Sequence, residues 1–221
     1  VCNSYNCVFM DLAQRIGVSK FYKGIKDFGF GSKTGVDFYA ESSGILMKES
    51  SVKTVDLARN GFGHAVAVTP LQLVNGVSAI VNGGRLNTSS ILKSVNKNGQ
   101  IVYSRQLNSK QTLISSKTSN LIRNMMKAVV DKSNGANAQV PGYSIGGKTG
   151  TAQKYQNGVI AQGKYIGSFV GFGPYEFPKY AVLILVDEPS NGAYYGSIVA
   201  APYAKNLFSK IFEVKGIPSN G

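Results

Sequence analysis

The run Gly146-Gly147-Lys148-Thr149-Gly150-Thr151-Ala152-Gln153 is the most chemically specific stretch of this 221-residue sequence. It falls on a predicted strand, where a lysine beside three glycines is costly as plain structure. A ligand lying along the strand would give the arrangement a purpose. Glycine lets another backbone approach closely, Lys148 offers an ammonium to a carboxylate, and Thr149 and Thr151 add hydroxyls. A second string, Ser4-Tyr5-Asn6, opens a predicted helix. Taken alone it reads as an N-cap, because serine and asparagine cap helices well.

Other chemistry is scarce. Cys2, Cys7 and His64 are the soft or imidazole ligands of the chain, too few for a zinc site. With no C-x-x-C, a thioredoxin-type site is excluded. The two cysteines could pair with each other or with an upstream cysteine, but the reading preferred here is two buried thiols packed as small apolar groups. His64, in Gly61-Phe62-Gly63-His64, reads as structural. Twenty-four basic residues against 11 acidic ones give a net charge of +13. The excess is lysine spread along the chain, which suits a solvated basic surface or a polyanionic neighbourhood. No zinc-finger spacing or aromatic-basic stretch supports nucleic acid as a partner. The composition, 43% hydrophobic and 16% charged, is globular. No apolar run approaches the roughly 18 residues of a membrane helix. The first residues, Val1-Cys2-Asn3-Ser4, are no signal sequence, and the chain reads as part of something longer.

The elements that must position these residues can be read from patterning. Val8, Leu12 and Ile16 recur at helical spacing before Gly17, which predicts a helix over 6–16. The segment 28–37 is glycine-rich loop, and a short helix is expected over 52–59. Thr69-Pro70-Leu71-Gln72 carries a capping box and predicts a helix ending at Asn82-Gly83-Gly84, with Leu71, Val74, Ser78 and Val81 on one face. Strands over 91–95 and 100–103 flank an Asn98-Gly99 turn. An amphipathic helix is expected around 121–130. Three antiparallel strands are expected over 144–155, 164–172 and 180–186, with Asn157-Gly158 as one connection and a covering helix over 198–212.

Taken together, Ser4-x-Asn6 and Lys148-Thr149-Gly150 resemble the S-x-N and K-T-G boxes of penicillin-recognising serine acyltransferases. Further stretches extend the resemblance through nearly the whole chain: Phe28-Gly29-Phe30-Gly31, Thr34-Gly35-Val36-Asp37, Gly61-Phe62-Gly63, Ser168-Phe169-Val170-Gly171-Phe172, Asp187-Glu188-Pro189, Tyr195-Gly196 and Ala200-Ala201-Pro202. They are similar to the transpeptidase domain of class B penicillin-binding proteins, of the division and sporulation type typified by the stage V sporulation protein D group. Lys33-Thr34-Gly35 also spells K-T-G, but it lies in a glycine-rich loop close to Ser4, so the box is assigned to Lys148. The family's nucleophile comes from an S-x-x-K box upstream of S-x-N. Here Ser50 to Lys53, Ser90 to Lys93 and Ser94 to Lys97 match that formula only downstream, so none is taken as the nucleophile.

The resemblance implies an α+β fold, an antiparallel sheet flanked by helices, lacking here the N-terminal strands and the nucleophile helix. Residues 1–143 would be its mostly helical part, and 144–221 the last three strands and C-terminal helix. The implied reaction is acyl transfer through a serine acyl-enzyme formed on a D-alanyl-D-alanine stem peptide, with β-lactams as mimics. Ser4 would relay a proton, Asn6 would hold the substrate amide, Lys148 with Thr149, Gly150 and Thr151 would bind the terminal carboxylate, and the Thr151 N–H would be an oxyanion donor. No cofactor or metal is implied. The upstream part of the same protein would be a partner, and membrane contact would come only through an absent N-terminal anchor, outside the cytoplasmic membrane. The chain alone would be inactive. A D,D-carboxypeptidase or β-lactamase-like hydrolase, and a non-catalytic module binding cell-wall peptides or a partner, are the alternatives.

Overall fold

The computed structural model describes residues 1–106, 109–156, 159–190 and 192–219. The chain divides into two units, Val1–Ser4 with Lys117–Gly221, and Tyr5–Ser116.

In the unit Tyr5–Ser116, helix α1 spans Asn6–Ile16 and ends at Gly17 with φ 78°. Gly17 also opens α2, Val18–Asp27, a helix over residues that patterning left unassigned. The stripe Val8, Leu12 and Ile16 is about half exposed. Instead, α1 meets α3 (Thr54–Gly61) through Phe9 and buried Ala13. Contact is that close because residue 61 is glycine: a Cβ there would lie 2.5 Å from the Phe9 carbonyl oxygen and 2.7 Å from Ala13 Cβ.

Helix α4, Pro70–Val81, starts as expected. The Thr69 hydroxyl accepts from Gln72 N–H at 3.1 Å, and Thr69 N–H donates to Gln72 Oε1 at 2.9 Å. Its buried face, however, is Gln72, Gly76, Ala79 and Val81. Gln72 tolerates burial because its amide also donates to the carbonyls of Ser32 at 2.7 Å and Ser43 at 2.9 Å. Strands β1 (Arg85–Asn87), β2 (Ser94–Lys97), β3 (Gln100–Ser104) and β4 (Ser109–Thr112) form two antiparallel pairs, β1 with β4 and β2 with β3. Asn98 and Gly99, with φ 52° and 79°, turn the β2–β3 hairpin. β2 begins later than predicted, because Asp37 takes the N–H groups of Ile91 (2.7 Å) and Leu92 (2.9 Å) that a longer ladder would need.

Helix α5, Ser116–Lys132, lies in the other unit from Lys117 onward. Strands β5 (Gly146–Gln156), β6 (Val159–Gly173) and β7 (Tyr180–Asp187) then form one antiparallel sheet in that order. The predicted Asn157-Gly158 turn lies outside the described residues. The expected last helix is split into α6, Gly196–Val199, and α7, Ala201–Val214, where Ala200 departs from helical geometry (φ −122°, ψ −42°) and Pro202 restarts the helix. α7 buries Phe208 and Phe212 with Phe169, Ile145 and Val182, forming the core on one sheet face. On the opposite face α5 approaches Gly146, where a Cβ would lie 3.2 Å from the Lys127 backbone nitrogen.

Candidate active site

β5 carries the lysine, and its first residues explain how. Gly146 pairs with Phe172, Gly147 with Gly171, Lys148 with Val170 and Gly150 with Ser168. Residues directly opposite share a face, and faces alternate along the strand. On the α5 face the ring of Phe172 covers Gly146, leaving only 2.4 Å to a Cβ there. On the α7 face Phe169 covers Gly147, leaving 2.2 Å, and also crowds Gly171, leaving 2.7 Å. This corrects the sequence expectation for two of the three glycines. Gly146 and Gly147 admit aromatic rings of the neighbouring strand, not a ligand.

The two rings are fully buried and fix the strand from both sides just before Lys148. The Lys148 side chain is half-buried, and its Nζ donates to the Thr149 carbonyl at 2.8 Å. Burial pushes its pKa below the ordinary lysine value of 10.5, and only negative charge on Cys2 pulls the other way. β5 is an edge strand among the described residues, so one row of its N–H and C=O groups is free of strand pairing. Thr151 Oγ1 accepts from Gly196 N–H at 3.1 Å, which fastens α6 to β5 and leaves the hydroxyl proton free to donate elsewhere.

Ser4 belongs to the same unit as Lys148. It has φ 52°, the left-handed region that a serine enters at a cost. Its Oγ is sealed from solvent and has no hydrogen-bond partner among the described residues. The segment before it is tied to the end of α5, where Ser133 Oγ donates to the Cys2 carbonyl at 2.8 Å. A strained backbone and an unsatisfied buried hydroxyl thus coincide at Ser4. Asn6 is the first residue of α1, in the other unit. Ser4 is no N-cap: that position is Tyr5, whose side chain makes no capping bond.

The cysteines differ from expectation. Both thiols are free, Cys2 is half-buried, and Cys7 is exposed on α1 rather than packed inside. His64 packs at a tilt against Phe62 with ring centroids 5.0 Å apart, in keeping with a structural role. The second K-T-G string forms a turn around a carboxylate: Thr34 N–H (2.8 Å), Thr34 Oγ1 (2.6 Å) and Gly35 N–H (3.1 Å) all donate to Glu41. Ser90 spends its hydroxyl on Asp37 and the Leu92 carbonyl.

Sequence reading missed an ion cluster at the far end of the sheet. Lys154 Nζ reaches both Asp187 oxygens (2.9 and 2.8 Å) and Glu188 Oε1 (2.8 Å), while Lys164 pairs with Glu188 at 3.2 Å. Glu188 sits at φ 51°, and its N–H donates to the Tyr165 carbonyl at 2.9 Å. Tyr165 stacks on Tyr194 with centroids 3.9 Å apart, so the segment that leads to Gly196 is held against β6. Cross-strand register, which composition does not reveal, was the missing signal.

Comparison with known proteins bears on family and fold. Residues 1–209 match the family model described as penicillin binding protein transpeptidase domain. Stage V sporulation protein D of Bacillus subtilis is 44% identical over 211 residues, covering 94% of this chain and 32% of that protein. A peptidoglycan D,D-transpeptidase FtsI of Buchnera aphidicola is 31% identical, over 93% of this chain and 35% of that protein. The chain therefore spans about a third of the length of these relatives. Among solved structures, penicillin binding protein 3 of Mycobacterium tuberculosis complexed with aztreonam superposes with a TM-score of 0.88 at 28% identity, over 99% of this chain and 51% of that one. The TP domain of Burkholderia pseudomallei penicillin-binding protein 3 gives 0.84 at 27% identity, over 96% and 62%. The α+β architecture is thus that of penicillin-binding protein transpeptidase domains.

Proposed function

The chain belongs to the penicillin-binding protein transpeptidase family, and from that premise we propose that it is the C-terminal portion of a serine D,D-transpeptidase that cross-links peptidoglycan stem peptides. The observation that carries this reading is Lys148: a desolvated ammonium on an edge strand, in the same unit as the strained, unpartnered Ser4 hydroxyl. An acyl-transfer site needs a cation for the substrate carboxylate and a hydroxyl able both to donate and to accept.

In the proposed reaction an upstream serine attacks the penultimate D-alanine carbonyl and the terminal D-alanine leaves as the free amino acid. An amine of a second stem peptide then attacks the ester, and the serine is released. Ser4 relays the proton that reaches the leaving nitrogen. Asn6 holds the substrate amide, an assignment carried by its motif. Lys148 attracts the terminal carboxylate, with Thr149 and Thr151 donating hydroxyl protons to it along the strand edge, and Gly150 lies between them in the same binding run. The Thr151 N–H is one oxyanion donor, a contact whose loss typically costs about 3 kcal/mol of transition-state stabilisation. β-Lactams acylate the same serine. The site works outside the cytoplasmic membrane, where its substrate lies. No helix among the described residues is long and apolar enough to cross a membrane.

The test is acylation of the full-length protein by a fluorescent penicillin, with D-alanine release from a stem pentapeptide measured in parallel. The isolated chain 1–221 should stay unlabelled. Labelling of Ser50, Ser90 or Ser94 in that chain, or wild-type labelling of a full-length Lys148→Ala variant, would contradict the assignment.

A further inference from the structure

Beside Lys148 lies one polar group that the reading above leaves idle. Gly150 pairs with Ser168, and Lys148 with Val170, so Lys148, Gly150 and Ser168 share a sheet face. Ser168 leans across its partner: a Cβ on residue 150 would fall 2.6 Å from Ser168 Oγ. The residue is half-buried, and its hydroxyl makes no hydrogen bond with any described residue. Three other hydroxyls of the same unit already have a protein partner. Thr151 is held to Gly196, Ser133 to the Cys2 carbonyl and Ser209 to the Lys205 carbonyl.

Gly150 now has a reason distinct from that of Gly146 and Gly147. No buried ring fills its place; the space above its Cα is taken by a hydroxyl with nothing to bind. Diagonal neighbours on one sheet face stand roughly 7–8 Å apart, a span that a lysine side chain and a bound carboxylate bridge between them. The hydroxyl is neutral and can donate to an anion already drawn in by the ammonium.

We propose that Ser168 is a substrate-contacting residue, whose hydroxyl donates to the carboxylate of a ligand held by Lys148. This rests on the reading that a ligand carboxylate docks at Lys148. Losing a hydrogen bond to a charged group slows reaction about tenfold, so the effect is measurable.

The experiment measures second-order acylation of the full-length protein by a fluorescent penicillin and by its methyl ester, in which the carboxylate is masked. Ser168→Ala should slow the acid about tenfold, leave the ester nearly unchanged and keep the melting temperature. Ser168→Thr should restore most of the rate. If Ser168→Ala reacts like wild type, or slows acid and ester alike, while Lys148→Ala abolishes the preference for the acid, the inference fails and the Lys148 reading stands. If Lys148→Ala keeps that preference, or the wild-type protein is not acylated, the Lys148 reading fails and the Ser168 contact falls with it.

Discussion

Gly147 lies directly against the ring of Phe169: a β-carbon at 147 would stand 2.2 Å from Phe169 Cζ and 2.9 Å from the Val170 carbonyl oxygen. The ring is fully buried and cannot swing out. Gly147→Ala should therefore cost about 3 kcal/mol through overpacking, read as a lowered denaturation midpoint. Adding Phe169→Leu should recover part of the loss, because the two sites share one space.

Ser4 separates folding from chemistry. Its φ of 52° suits glycine better than serine. Ser4→Gly should hold or slightly raise the melting temperature, yet slow penicillin acylation about a hundredfold by removing the relay hydroxyl. Parallel thermal melts and acylation rates check both halves.

Lys148 should make stability and reactivity pull against each other as pH rises. Burial lowers its folded pKa below 10.5, so between the two values the unfolded chain binds more protons and stability climbs with pH. Below that window the cost of the buried charge is constant. Lys148→Met should raise the melting temperature by a few degrees at neutral pH and flatten the alkaline climb. In the wild type, acylation should decline over the same alkaline window, because a neutral amine no longer attracts a carboxylate. Melting curves and acylation profiles over that window test both.

Asp37 should matter at acid pH. Its carboxylate is held down to about 2, first by the Ile91 N–H, then by the Ser90 hydroxyl and the Leu92 N–H. The stability it contributes is fully present above the ordinary value of 3.8 and is lost as pH falls through about 2. Asp37→Asn should speed amide exchange at Ile91 and Leu92 about tenfold without touching acylation. Residue-resolved hydrogen exchange would show it.

Patterning was enough where one local interaction governs an element. The Thr69–Gln72 box, the Asn98-Gly99 turn and the three strands of the larger sheet are each specified by near neighbours. It fell short where distant residues intervene. α1 turns Phe9 and Ala13 inward because Gly61 makes room for them, so the apolar stripe at Val8, Leu12 and Ile16 stays half outside. Asp37 shortens β2 from more than fifty residues away. At the candidate site, Lys148 and Ser4 were legible from their strings. The separate purposes of Gly146, Gly147 and Gly150 were not, since a glycine shows what it admits only once its cross-strand neighbour is known.

The ammonium of Lys148 is parked on the carbonyl of the next residue. That bond uses one of the three ammonium protons, so two remain for an arriving anion, which would then be held from a fixed direction. On the proposed reading, small, well-hydrated anions such as chloride would have no second handhold there. A peptide end that also laid its amides along the strand would. The anchored lysine would thus favour a carboxylate whose own molecule follows the strand.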